Sequence, residues 1–106
     1  MNDILKLNAI EASAALEKGD ISSVELTTAY LAAADVTSEL NNYVTLCEDK
    51  ALEMAQQSDK RRADGRARPL EGLPIGVKDL FCTSGVETTA CSGILRGFVP
   101  TYESTV

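Results

Sequence analysis

The stretch Leu70-Glu71-Gly72-Leu73-Pro74-Ile75-Gly76-Val77-Lys78-Asp79-Leu80-Phe81 is the densest apolar run in the chain, and one lysine stands inside it. Gly72 and Pro74 open it, and proline is tolerated at a strand's first residue. At strand period, Leu73, Ile75 and Val77 fall on one side, Gly76 and Lys78 on the other. The pattern predicts a strand over about 73–81. Gly76 leaves an unfilled place beside Lys78, where another backbone or a ligand can come close. An ammonium pressed among apolar neighbours loses hydration, which disfavours its charged form and makes it a base. The competing reading is a gatekeeper, since a lysine on an edge strand guards against aggregation.

What precedes this run reads as helices. Residues 1–7 are a short lead-in. Asn8 with Glu11 makes a capping box for a helix through about Lys18, and Gly19 supplies its stop. Within it, Ile10, Ala14 and Glu17 lie on one side, and Ala12, Ala15 and Leu16 form a second apolar edge. Ser22 with Glu25 makes another capping box, for a helix over about Ser23–Asp35. Val24, Leu31 and Ala34 share one face of it, flanked by Leu26, Thr27 and Tyr30. Asn41-Asn42 signals a turn, and Tyr43-Val44-Thr45-Leu46 is rich in strand formers. A third helix is expected from about Glu48 to Arg62, with Ala51, Leu52 and Ala55 inward and Met54 assisting. Its acidic start and basic end suit the helix dipole. The basic stretch Lys60–Arg68 has no interleaved aromatic to stack on bases, so a solvated helix end is favoured over an RNA-facing patch.

Downstream, Thr83-Ser84-Gly85 is a turn, Glu87–Ser92 a loop, and Ser92–Gly97 at most one helical turn. Strand, helix and strand alternate from Tyr43 to Phe81. The expected fold class is therefore α/β, with N-terminal helices followed by the first strands of a mixed sheet.

Composition removes several functions. There is no histidine among the 106 residues, which excludes Ser-His-Asp and Cys-His catalysis and the usual zinc ligand sets within this chain. A net charge of −6 argues against a stand-alone binder of nucleic acid or anionic membrane. Cys47, Cys82 and Cys91 show no C-x-x-C spacing. An odd, scattered set points to reduced, inert thiols in a cytoplasmic protein. The start lacks the basic and apolar regions of a signal peptide, and no run approaches a membrane span.

The word Gly72-Leu73-Pro74-Ile75-Gly76-Val77-Lys78-Asp79 resembles the amidase signature family. The similarity continues through Thr88-Thr89-Ala90-Cys91-Ser92 and Phe98–Val106, where it is nearest to the branch serving tRNA-dependent amidotransferases. Gly93 departs from the longer polar residue of many relatives. The resemblance implies a Ser–cis-Ser–Lys triad whose lysine is Lys78, the one catalytic residue assigned here. Both serines are implied to lie in a Gly/Ser-rich stretch, which this sequence lacks: Ser22-Ser23 is its only serine pair. Residues 1–106 are thus expected to be the N-terminal part of a single amidase signature domain. Its helical layer would span about 8–62 and its catalytic-lysine strand about 73–81.

The resemblance further implies glutamine hydrolysis in a heterotrimeric complex. The ammonia would amidate Glu on tRNA(Gln), and in related complexes Asp on tRNA(Asn). ATP and Mg would be used through a partner subunit that also handles the tRNA, with no cofactor in this chain. Lys78 would draw a proton from the bridging serine, since a hydroxyl nucleophile needs an adjacent base. Asp79 is expected to be structural, bonding nearby backbone. Thr88, Thr89 and Ser92 are candidates to line the pocket and equally to cap turns. Two alternatives stay open: a general small-amide hydrolase of the same family, and a non-catalytic helical interaction module. A Gly/Ser-rich stretch with two serines after Val106 would favour an enzyme, and a natural stop there a module.

Overall fold

A computed structural model describes residues 3–106; Met1 and Asn2, the start of the expected lead-in, lie outside the described residues. The chain divides into two compact units. One comprises the residues up to Asn42 with Glu48–Pro74, the other Tyr43–Cys47 with Ile75–Val106.

The first unit is helical. A 3-10 turn at Asp3–Lys6 leads into α1 (Ala9–Lys18), α2 (Ser23–Val36), a 3-10 turn at Ser38–Leu40 and α3 (Glu48–Ala63). Both expected capping boxes are present. The Glu11 N–H donates to Asn8 Oδ1 at 2.9 Å, and the Asn8 N–H to Glu11 Oε2 at 2.9 Å. The Glu25 N–H donates to Ser22 Oγ at 3.0 Å, and the Ser22 N–H to Glu25 Oε2 at 2.7 Å. Gly19 ends α1 in the left-handed conformation at φ 79°. In α3, Glu48 and Asp49 occupy the first turn and Lys60, Arg61 and Arg62 the last, complementing the helix dipole.

The core is small and aliphatic. Ala12, Leu16 and Leu26 are buried together, with Ile4, Leu7, Ile21 and Leu73 packed around them. Burial of the two leucines contributes about 1.5–3 kcal/mol each. Of the two edges read on α1, the one carrying Ala12 and Leu16 is buried, whereas Ile10 is 82% exposed. On α2 the flank with Leu26 and Thr27 faces the core, while Val24, Leu31 and Ala34 are only partly covered. On α3, Ala55 is buried, Ala51 and Leu52 are intermediate and Met54 is exposed.

The second unit overturns the expected fold class. Among the described residues there is no strand: neither 43–46 nor 73–81 forms one, and the sheet-like pairing consists of an isolated bridge between Thr83 and Val86. The chain is helical, not α/β. A period of two tells which side chains share a face, but a strand exists only where a neighbour accepts its backbone bonds. Residues 73–78 have no such ladder, and a turn closed by the Phe81 N–H on the Lys78 carbonyl at 3.0 Å ends the run. Backbone bonds tie residues 82–88 to 98–104 instead: Ser104 N–H to Cys82 O, Gly85 N–H to Pro100 O, and Thr88 N–H to Phe98 O, at 2.9, 2.9 and 3.0 Å. These are spaced too widely for a ladder. A single 3-10 turn, Gly93–Leu95, follows the Ser92 cap.

Candidate functional site

Lys78 lies in the second unit, and its side chain is exposed. The desolvation expected from its apolar neighbours is not found here. Those neighbours face outward with it, Ile75 at 81%, Val77 at 52% and Leu80 at 50% exposure. Among the described residues the Lys78 ammonium makes no ion pair or hydrogen bond. The place at Gly76 is open: a Cβ there would meet Tyr43 Cε1 at 3.8 Å, an ordinary contact.

Asp79, adjacent to Lys78, is the most heavily bonded group of this unit. Its Oδ1 accepts from the Thr89 N–H at 2.9 Å, and its Oδ2 from the Thr89 hydroxyl at 2.6 Å and the Cys91 N–H at 3.4 Å. Its carbonyl accepts from the Ala90 N–H at 2.7 Å. The Thr89 hydroxyl, followed by the Thr89 N–H, holds the Asp79 carboxyl below the usual carboxylate range. Successive N–H groups that converge in this way form an anion-binding concavity. Here Asp79 fills it, so the turn is not a vacant oxyanion hole.

That turn is strained. Ala90 and Cys91 sit at φ 50° and 58°. The left-handed region costs roughly 1–2 kcal/mol for a residue with a Cβ. Two in succession persist because Asp79 accepts from the N–H groups of Thr89, Ala90 and Cys91. Thr89 and Thr88 are 8% and 6% exposed. Thr88 Oγ1 donates to the Val86 carbonyl at 3.1 Å, and Ser92 Oγ accepts the Ile94 N–H at 3.3 Å. All three candidate hydroxyls are thus occupied in shaping the loop.

A model of the Amidase family matches residues 25–106, which include Lys78, Asp79 and this loop. The chain belongs to the amidase family. Similar proteins include three A-type subunits of glutamyl-tRNA(Gln) amidotransferase. That of Parvibaculum lavamentivorans is 55% identical over 106 residues, covering 100% of this chain and 22% of that protein. That of Caulobacter vibrioides is 59% identical over 98 residues, covering 92% and 19%. That of Xanthobacter autotrophicus is 50% identical over 106 residues, covering 100% and 22%. The chain therefore spans about a fifth of the length of these curated relatives.

Within this amidase-family chain, the helical unit holds a second polar cluster that pattern reading missed. Glu71 is 6% exposed. Its Oε1 accepts from Arg61 Nε at 2.9 Å, and its Oε2 from Ser58 Oγ at 2.7 Å and Arg61 Nη2 at 3.0 Å. Arg68 Nε lies 3.4 Å from Oε1. Arg61 first, and then the Ser58 and Arg68 bonds, hold the Glu71 carboxyl far below its ordinary value against the opposing effect of burial. Arg62 donates to the Glu71 carbonyl at 2.9 Å. The basic helix end is therefore an internal clamp as well as a solvated surface. Ser23 makes a related junction, its hydroxyl donating to the Gly72 carbonyl at 2.8 Å and its N–H to Asp59 Oδ1 at 2.7 Å.

The three cysteines are free, with Cys47 and Cys91 exposed and Cys82 partly buried. Among the described residues no cluster of Cys, Asp and Glu is arranged to hold a metal ion, and no helix is long and apolar enough to cross a membrane.

Proposed function

We propose that the whole protein carrying this chain is the amide-hydrolysing subunit of a tRNA-dependent amidotransferase. It releases ammonia from glutamine. A partner subunit uses that ammonia, with ATP and Mg, to amidate Glu on tRNA(Gln). The observation that carries this reading is identity of 50–59% across all or nearly all of the chain to proteins bearing that enzyme's name. In this reading Lys78 is the base of a Ser–cis-Ser–Lys triad whose serines are supplied elsewhere in the protein. Its place in the Gly72–Asp79 word supports that role. The free thiols support residence in the reducing cytoplasm.

The test is the glutaminase rate of the whole protein. Arginine keeps the charge but does not deprotonate, so Lys78→Arg should fail as a base. Lys78→Met keeps the stem and removes the amine. Each should lower kcat by about 10²–10⁴-fold, the usual worth of general acid–base catalysis, with the melting curve unchanged. Near-full activity in Lys78→Arg would replace the base with a cationic substrate contact. Hydrolysis of simple aliphatic amides in preference to glutamine would favour the general amidase instead.

A further inference from the structure

We infer that Asp79 is a positioning residue for Lys78, locking the Lys78–Asp79 backbone to the Thr89–Cys91 turn; this rests on the reading of Lys78 as the base. Packing does not place Lys78, because the apolar side chains around it are exposed. Hydrogen bonds do. Asp79 receives one from the Ala90 N–H through its carbonyl and three through its carboxylate, from Thr89 N–H, Thr89 Oγ1 and Cys91 N–H. One residue earlier, the Lys78 carbonyl accepts from the Phe81 N–H. The Thr89 end of this anchor is buried, at 8% exposure beside Thr88 at 6%, whereas Asp79 is half-buried and Ala90 and Cys91 are exposed. The turn holds two residues with a Cβ at positive φ, a conformation that endures only where its surroundings over-determine it. A base displaced by about 1 Å can lose roughly 10²-fold in rate, so an anchor beside it has a large lever.

The variants to make in the whole protein are Thr89→Val, which removes the hydroxyl at nearly constant shape, Thr89→Ser, which restores it, and Asp79→Asn. The readouts are kcat and KM for glutamine, the pH profile of kcat, and the melting curve. Thr89→Val should lower kcat at least about tenfold and leave KM within about twofold, because Lys78 is misplaced while substrate binding is intact. Thr89→Ser should return most of the rate, and Asp79→Asn should follow Thr89→Val. On a Lys78→Met background, Thr89→Val should cost nothing more, as expected of a residue acting through Lys78. A Thr89→Val protein with a lowered melting point but wild-type kcat and pH profile has lost only stability, and the inference is then overturned. So it is if Thr89→Val lowers the residual rate of Lys78→Met as much as that of the wild type. Should Asp79→Asn not fold, the Thr89→Val and Thr89→Ser pair still decides. Full activity in Lys78→Met alone overturns the base reading, whereas inactive Lys78→Met beside fully active Thr89→Val overturns only the role of Asp79.

Discussion

Glu71 shows how far a single side chain can depart from what its sequence neighbours suggest. It stands between a leucine and a glycine at the start of the apolar run, where no pattern marks it, yet it is buried against Ser58, Arg61 and Arg68. Folding lowers its carboxyl below the ordinary value, so the folded state favours the ionised form. The stabilisation is complete above the ordinary carboxylate range and is lost as pH falls through the depressed folded-state value. Glu71→Gln should cost about 1.5–3 kcal/mol at neutral pH, the range for hydrogen bonds to charged groups. It should also flatten the acid limb of stability, leaving the part due to other carboxylates such as Asp79. Urea melts of both proteins between neutral and acid pH check this, and parallel acid limbs would refute it. The role proposed for Lys78 comes from the Gly72–Asp79 word, which lies within the residues matched to the Amidase family. The exposure of Lys78 is not legible in the sequence, because apolar neighbours in sequence bury a side chain only if something covers them.

The helices are readable because their signals are local. Asn8, Gly19 and Ser22 act within one turn of where they stand, and the structure places each at its expected terminus. Whether 43–46 and 73–81 form strands is not readable in the same way, because strand formation depends on a partner that lies anywhere in the chain. Gly72 shows the same limit at a turn. Its φ is +86°, and a Cβ there would approach Ser23 Cβ at 3.1 Å and Ser23 Oγ at 3.2 Å. Gly19 has φ +79° but open space around it. Gly19→Ala should therefore cost about 1–2 kcal/mol, the conformational penalty alone. Gly72→Ala should cost more, because it also pushes the start of α2 away from the 70–74 loop. Thermal unfolding of the two variants side by side tests the order. Gly93, with neither positive φ nor a near neighbour, should accept alanine within about 0.5 kcal/mol.

The two units differ in how they are held. The helical unit has a closed aliphatic core, whereas the second keeps its shape through backbone bonds and the Asp79 carboxylate, with Thr88, Thr89 and Pro100 as its buried residues. Neither contains a Gly/Ser-rich stretch with a serine nucleophile. The purified 106 residues should accordingly show only background glutaminase turnover, and turnover that disappears on Lys78→Ala would contradict this. Ser23 gives the helical unit a kinetic character as well. It bonds Asp59 across 36 positions and Gly72 across 49. Closing spans of that size costs chain entropy before any bond is gained. The capping boxes can form within each helix, but the junction at Ser23 must wait until α3 and the segment after it have come round. Assembly of this unit should therefore be paced by long-range closure rather than by helix formation, although its secondary structure is almost entirely local.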